Sequence, residues 1–244
     1  MNSATVALLI VMGQPDVSFR EAQELRADAG AARLKFIEAA KGYDAVWQAR
    51  NHSPAVATNR GRAHALAGDW AGAIAAVHAG LRESPSDTTL HHDLETLRDV
   101  VPYPAGLRPP PVSGWRSRVS GWDLFGLATV CVGLITIGIA NRFTTRDGWA
   151  LSIVTVGVIG LFAVLAVKWQ GHREARWEAE RPVRVLIRET TLRKGNGDSY
   201  EPRLEWPLPR GCEVRELFRR GGWVQVELTG GAVGWLPEAS VITF

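Results

Sequence analysis

Six histidines and two cysteines are the residues of this 244-residue chain with the shortest route to chemistry. His64, His78, His91 and His92 fall in the first hundred residues, and the adjacent pair suggests a metal site. Successive residues of a helix, however, point about 100° apart, so His91 and His92 do not converge on one ion. Cys131 sits in an apolar run and Cys212 in the C-terminal region. A thiol in a spanning segment has no route to one in a water-soluble domain, so no disulfide is expected, and paired metal-ligating cysteines are absent. The chain has no Gly-x-Ser-x-Gly elbow, no His-Glu-x-x-His and no phosphate loop, and its acidic residues are scattered, mostly in helical or solvent-type contexts. An enzyme, for instance a hydrolase, is the third of three readings; the sequence reads as a non-enzyme without cofactor or metal. A net charge of only +3, with no concentrated Lys/Arg face, argues against nucleic acid. What remains is recognition by aromatic and polar side chains.

The elements that would carry such side chains are separated by two apolar runs. Leu124–Ala140 and Gly148–Val167 are 17 and 20 residues without a charge. At 1.5 Å rise per residue, about 20 residues cross a hydrocarbon core of about 30 Å. Trp122, Trp149 and Trp169 stand at the ends of the runs, where indoles favour the headgroup layer. The seven-residue link Asn141–Asp147 forces an antiparallel hairpin, so both flanking regions lie on one side. Gly126, Gly133, Gly138, Gly157 and Gly160 permit close backbone approach. Arginines on the outer flanks favour a cytoplasmic placement of both regions. The apolar run Ala4–Met12 reads instead as the core of a degenerate signal peptide, as the first helix of the domain, or as a disordered end.

From Phe19 to about Val100 the spacing is helical. Phe36, Ala39, Ala40, Tyr43, Val46 and Trp47 share a helical face, with Phe19–Ala27 as the helix before it. Trp70, Ile74, Val77 and Leu81 form the next stripe. Gly68-Asp69 ends one helix and caps another, and Ser86 or Asp87 caps a last one over Thr88–Asp99. Residues 101–121 are proline-rich and are expected to be a semi-rigid spacer, and 169–182 a charged stalk. Short strands then follow at Val183–Ile187, Glu213–Phe218, Trp223–Leu228, Gly234–Pro237 and Ser240–Thr243, separated by Gly195–Asp198, Gly221-Gly222 and Gly230-Gly231 turns, the pattern of a small barrel.

Two stretches resemble known families. Asn59-Arg-Gly-Arg-Ala-His-Ala-Leu-Ala-Gly-Asp-Trp-Ala-Gly-Ala-Ile74 resembles a tetratricopeptide repeat running from Pro54 to Asp87. Thr191–Gly197, Gly222-Trp223-Val-Gln-Val and Gly234-Trp235-Leu-Pro237 resemble the bacterial SH3-like domain. The expected fold is therefore a multidomain membrane protein: all-α tetratricopeptide-like helical hairpins, a transmembrane helical hairpin and a small all-β SH3-like barrel. The expected boundaries are 1–18 for a degenerate signal or disordered N-terminus, 19–100 for the helical domain, 101–121 for the linker, 122–140 and 148–168 for the spans around loop 141–147, 169–182 for the stalk and 183–244 for the barrel. One clear repeat and one degenerate one fall short of the about three units a stack needs, so the helical part is expected to be of modest stability or to be completed by a partner.

In this order the parts resemble the BatE-like proteins of bacterial aerotolerance gene clusters. The resemblance implies a two-pass protein of the bacterial inner membrane with both soluble parts in the periplasm. It also implies a scaffold acting with von Willebrand factor A-domain membrane proteins and a MoxR-type ATPase system. The alternative is an envelope sensor whose barrel binds cell-wall peptide. The residues expected to contact a protein or peptide are Tyr43, Trp47, Asn59 and Arg62 in the helical part and Tyr200, Trp206 and Trp235 in the barrel. The phospholipid bilayer is the remaining expected partner.

Overall fold

Short polar residues start the helices of the N-terminal half. In this computed structural model, which describes residues 15–25, 27–49, 52–110, 121–145 and 149–242, helix α1 covers residues 15–24. It is followed by α2 (Ala29–Gln48), α3 (Pro54–Leu66), α4 (Trp70–Glu83) and α5 (Thr88–Val100). The side chains of Asp28, Ser53, Asp69 and Asp87 each accept a hydrogen bond from a backbone N–H of the turn that follows. Those donors have no partner within the helix, which is why such residues stand there. The run Ala4–Met12 lies outside the described residues.

Helices α3 and α4 cross closely because glycine leaves room. A Cβ on Gly61 would lie 2.9 Å from Val77 Cγ2, and one on Gly80 would lie 2.4 Å from the Ala57 Cβ. Nearly the whole of α4 is buried, including Ala71, Ala73, Ile74, Ala75, Ala76 and Val77. A helix apolar all round has to be enclosed on every side. Its neighbours are α3, α5 and, across the chain, strand β1 (Val183–Leu186).

The C-terminal strands form one antiparallel sheet. β1, β2 (Glu213–Arg220), β3 (Trp223–Glu227), β4 (Val233–Pro237) and β5 (Val241–Ile242) lie in the order β4-β3-β2-β1-β5. Gly221 and Gly222, both at positive φ, make the two-residue turn between β2 and β3, a geometry that glycine takes without a Cβ penalty. Leu186, Leu192, Leu208, Val214, Val224, Val226 and Leu236 form the core beneath the sheet.

The chain divides into two compact units. One combines the residues before Ser113 with those after Arg181; the other is Ser113–Arg181. The helical and β parts, expected as separate domains, are thus one body. Val185 and, partly buried, Ile242 pack into the helical core beside Ile74, Leu94 and Val101. In return Leu107 enters the core of the sheet. The described part of the proline-rich stretch, expected as a spacer, is packed between the two: Tyr103 touches both cores. Gly211, at positive φ, allows the sheet to approach the end of α5, since a Cβ there would lie 2.8 Å from Val101 Cγ2.

The second unit holds α6 (Gly121–Thr145) and α7 (Trp149–Glu180), which pack together. Both contain runs long and apolar enough to cross a membrane, Asp123–Asn141 and Leu151–Arg173, and only 11% of each is buried. Phe125, Val130, Ile137, Leu151, Ile159 and Phe162 face outward, as in a helix pair suited to lipid. Along the seam, a Cβ on Gly157 would lie 2.9 Å from the Cys131 carbonyl oxygen and one on Gly160 2.7 Å from Cys131 Sγ. Gly126 and Gly133 face open space instead. The hydroxyls of Thr129, Thr136 and Thr155 donate to carbonyls of the preceding turn, so none is left unpaired in an apolar setting. The expected stalk is a direct continuation of α7. Residues 146–148 of the connecting loop, and the side chains of Trp122 and Trp149, lie outside the described part.

Candidate functional site

The helical candidates are spent largely within the fold. Tyr43 is buried with Ala39, Ala40 and Ala63. Its hydroxyl donates to Asp16 Oδ1 and also meets the Asn59 side chain; burial and then Asp16 push the phenol well above its ordinary range. Trp47 packs against the main helical core, stacks on His52 with ring centroids 4.5 Å apart, and has the Arg60 guanidinium 5.8 Å from its centroid. Arg62 is exposed and pairs with Asp93 of α5 at 3.4 Å. Of these four, only Arg62 is presented openly to solvent.

The candidates in the sheet region differ. Tyr200 and Trp206 are 50% and 47% exposed. The Tyr200 ring lies on the turn at Gly195, where a Cβ would be 2.5 Å from it, and the Tyr200 carbonyl accepts a bond of 2.8 Å from Arg193 Nη1. Trp235, half-buried, lies on β4 opposite Gln225 of β3, which in turn lies opposite Phe218 of β2. Residues directly opposite on antiparallel strands share a face. Because Val224 and Val226 point into the core, Phe218, Gln225 and Trp235 form a row on the outer face. Phe218 and Trp235 meet edge to face, with centroids 6.4 Å apart. Arg193 extends the row beyond Trp235, to which it is bridged, and Pro202 extends it beyond Arg193. In the next row Trp223 lies between Arg220 and Pro237. Phe218 and Trp223 are not among the contact residues expected from the sequence; the alternation of Trp223, Gln225 and Glu227 with buried valines is the signal that β3 has an outer face. Such a surface offers flat apolar stacking beside guanidinium donors, which suits an extended peptide.

A polar joint ties this sheet to the helices. Glu213, 5% exposed, receives Arg98 through both oxygens, Nε at 2.7 Å and Nη2 at 2.9 Å. Tyr103 donates to it at 3.0 Å, and His78 is its third partner. Burial works against the charge of Glu213, but the bonds from His78 and Arg98 outweigh it and hold the carboxyl down at about 2. Glu213 is an exception among acidic residues expected mostly in helical or solvent-type contexts. A second joint centres on His64. Its Nδ1 lies 3.0 Å from Asp69 and its Nε2 3.3 Å from Asp44, and Arg210 from the loop before β2 also reaches Asp69. Burial disfavours the imidazolium, but the two aspartates outweigh it and raise His64 to about 9. Cys212 is buried, which pushes its thiol up to about 12. Among the described residues, no group of three or more His, Cys, Asp or Glu is placed to hold a metal ion.

These features define a mostly helical chain with a small antiparallel sheet and two helices of bilayer length. No family model, no curated protein and no solved structure matches it.

Proposed function

We propose that the protein is a non-catalytic scaffold of the bacterial inner membrane. Helices α6 and α7 anchor it, and the unit formed by both flanks holds protein partners on one side of the bilayer, the periplasmic side. The helical part is a tetratricopeptide-like stack and the sheet an SH3-like barrel. The partners are those of an aerotolerance-type envelope complex, von Willebrand factor A-domain membrane proteins and a MoxR-type ATPase system. The observation that carries the reading is the fusion of both flanks of the helical hairpin into a single body with an aromatic outer face. A two-repeat stack is too short to bury its end alone; β1 and Val185 supply that burial, so the partner is free to take the outer surface instead.

The exposure of Tyr200 and Trp206 favours a second reading, an envelope sensor that binds cell-wall peptide. Photo-crosslinkers placed at Tyr200 and Arg62 in cells, together with sedimentation of the purified full chain with sacculi, separate the two. Crosslinks to a von Willebrand factor A-domain protein, weakened at least several-fold from position 62 by Tyr200→Ala with Trp206→Ala and from position 200 by Trp206→Ala, support the scaffold. Sacculus binding that depends on the same pair supports the sensor. Neither result would leave the aromatic face without the role assigned to it.

A further inference from the structure

α7 is 32 residues long, about 48 Å, well beyond the about 30 Å of a hydrocarbon core. Its charge-free run ends at Val167, and the continuation repeats one pattern: Trp169-x-x-x-Arg173 and Trp177-x-x-x-Arg181. In each case the guanidinium stacks over the indole four residues earlier, at 5.6 and 5.5 Å from its centroid. Trp169, Arg173, Arg176 and Trp177 stand at i, i+4, i+7 and i+8, which places them along one stripe; the acid on that stripe, Glu180, stands at its outer end, 13 residues past Val167. Trp169 is 67% exposed.

The direction of the side chains matters. On a helix they lean toward its N-terminus, which for this end of α7 is toward the apolar run. The stacking of Arg173 over Trp169 is that lean made visible. The Arg173 head thus lies at the level of Trp169, two residues or about 3 Å past Val167. That is inside a headgroup layer of roughly 5–8 Å per side. Arg176 starts about 13 Å past Val167 and reaches back to the same layer. The pairing holds the Arg173 guanidinium above the indole, and a guanidinium matches a phosphate by paired N–H bonds. Lys168 adds a compact charge at the boundary. Arg181 stands further out, where its charge still acts across a screening length of about 8–10 Å.

We propose that Trp169, Arg173 and Arg176 form a binding face for the headgroups of anionic phospholipids in the leaflet from which α7 emerges. This rests on the reading of α7 as a membrane span, and the test keeps the two apart. The full chain is reconstituted with spin-labelled phosphatidylglycerol or phosphatidylcholine, and the motionally restricted lipid is measured. The expected result is a several-fold preference for phosphatidylglycerol. That preference should fall with each arginine removed, and Arg173→Gln with Arg176→Gln should abolish it while the phosphatidylcholine boundary population stays unchanged. The proposal is overturned if the double variant keeps the wild-type preference or if the wild type has none. It is also overturned if inorganic phosphate competes where chloride of equal ionic strength does not, which would mark a site for free phosphate. Absence of any restricted lipid would show that α7 is not inserted and would remove the spanning reading itself.

Discussion

Replacing Glu213 by glutamine is expected to loosen the helices and the sheet together. Among the described residues the carboxylate is the acceptor for both Arg98 Nε and Nη2, and it also receives Tyr103 and His78. Glutamine keeps one acceptor oxygen but turns an NH2 toward the other donors, and with the charge gone the carboxylate left to Arg98, 5% exposed, is Glu95 at 2.8 Å, beside a long contact of 3.5 Å to the Pro110 carbonyl. Removing one partner of a buried ion pair costs about 3–5 kcal/mol, and the remaining Glu95 contact places this case near the lower end. The assay is urea unfolding of the full chain in micelles, followed by near-UV circular dichroism and by hydrogen exchange of α4, α5, β1 and β2. A shared loss of about 3 kcal/mol, with protection falling in all four elements at once, is the expected result. Arg98→Met combined with Glu213→Leu, which removes both charges and keeps apolar volume, should recover most of it. The reasoning is refuted if Glu213→Gln costs under about 1 kcal/mol, or if the wild-type helices and sheet unfold in two separate transitions.

His64 gives a pH dependence of stability. Its folded-state value is raised from 6.5 to about 9, so its contribution is complete below the unfolded value and is lost as pH rises through about 9. Unfolding midpoints measured from about pH 7 to 10 should therefore decline more steeply in the wild type than in His64→Gln. In the second unit, Gly160→Leu drives a side chain into Cys131 Sγ and should cost about 1–3 kcal/mol by overpacking. Gly133→Leu, with nothing within 4 Å, should be nearly neutral; the thermal midpoints of both variants in detergent would show the contrast.

The local elements were legible because their signals are local. Two charge-free runs gave α6 and α7, and capping aspartates together with apolar stripes gave α3 to α5. Paired glycines before alternating residues gave the β2–β3 hairpin. The union of the two soluble parts was not legible in the same way, since Arg98 and Glu213 lie 115 residues apart and no periodicity links them. Each nevertheless left a local anomaly. Arg98 stands at a core position of the stripe Leu90, Leu94, Leu97, and Glu213 stands between buried Cys212 and Val214. Two opposite charges at two core positions are a reason to look for a pair. Leu107 and Tyr103 were hidden by their proline-rich surroundings, which give a spacer composition to residues that pack. At the candidate site, Tyr200 and Trp206 are exposed as a binding role needs, whereas Tyr43 is held in the core, the role its helical spacing with Phe36 and Ala39 also allows.

Topology tests the account most directly. Single cysteines at exposed Ser86 and Gly230 would be treated with a membrane-impermeant thiol reagent in cells with a permeable outer membrane. Cys131 and Cys212 are both buried and contribute little background. Both positions are expected to react without lysis, because both flanks of the hairpin belong to one body in the periplasm. Reaction of both only after lysis would move that body to the cytoplasm and remove the proposed envelope partners. Reaction of one without the other would contradict the central claim, since a single compact unit cannot lie on both sides of a membrane.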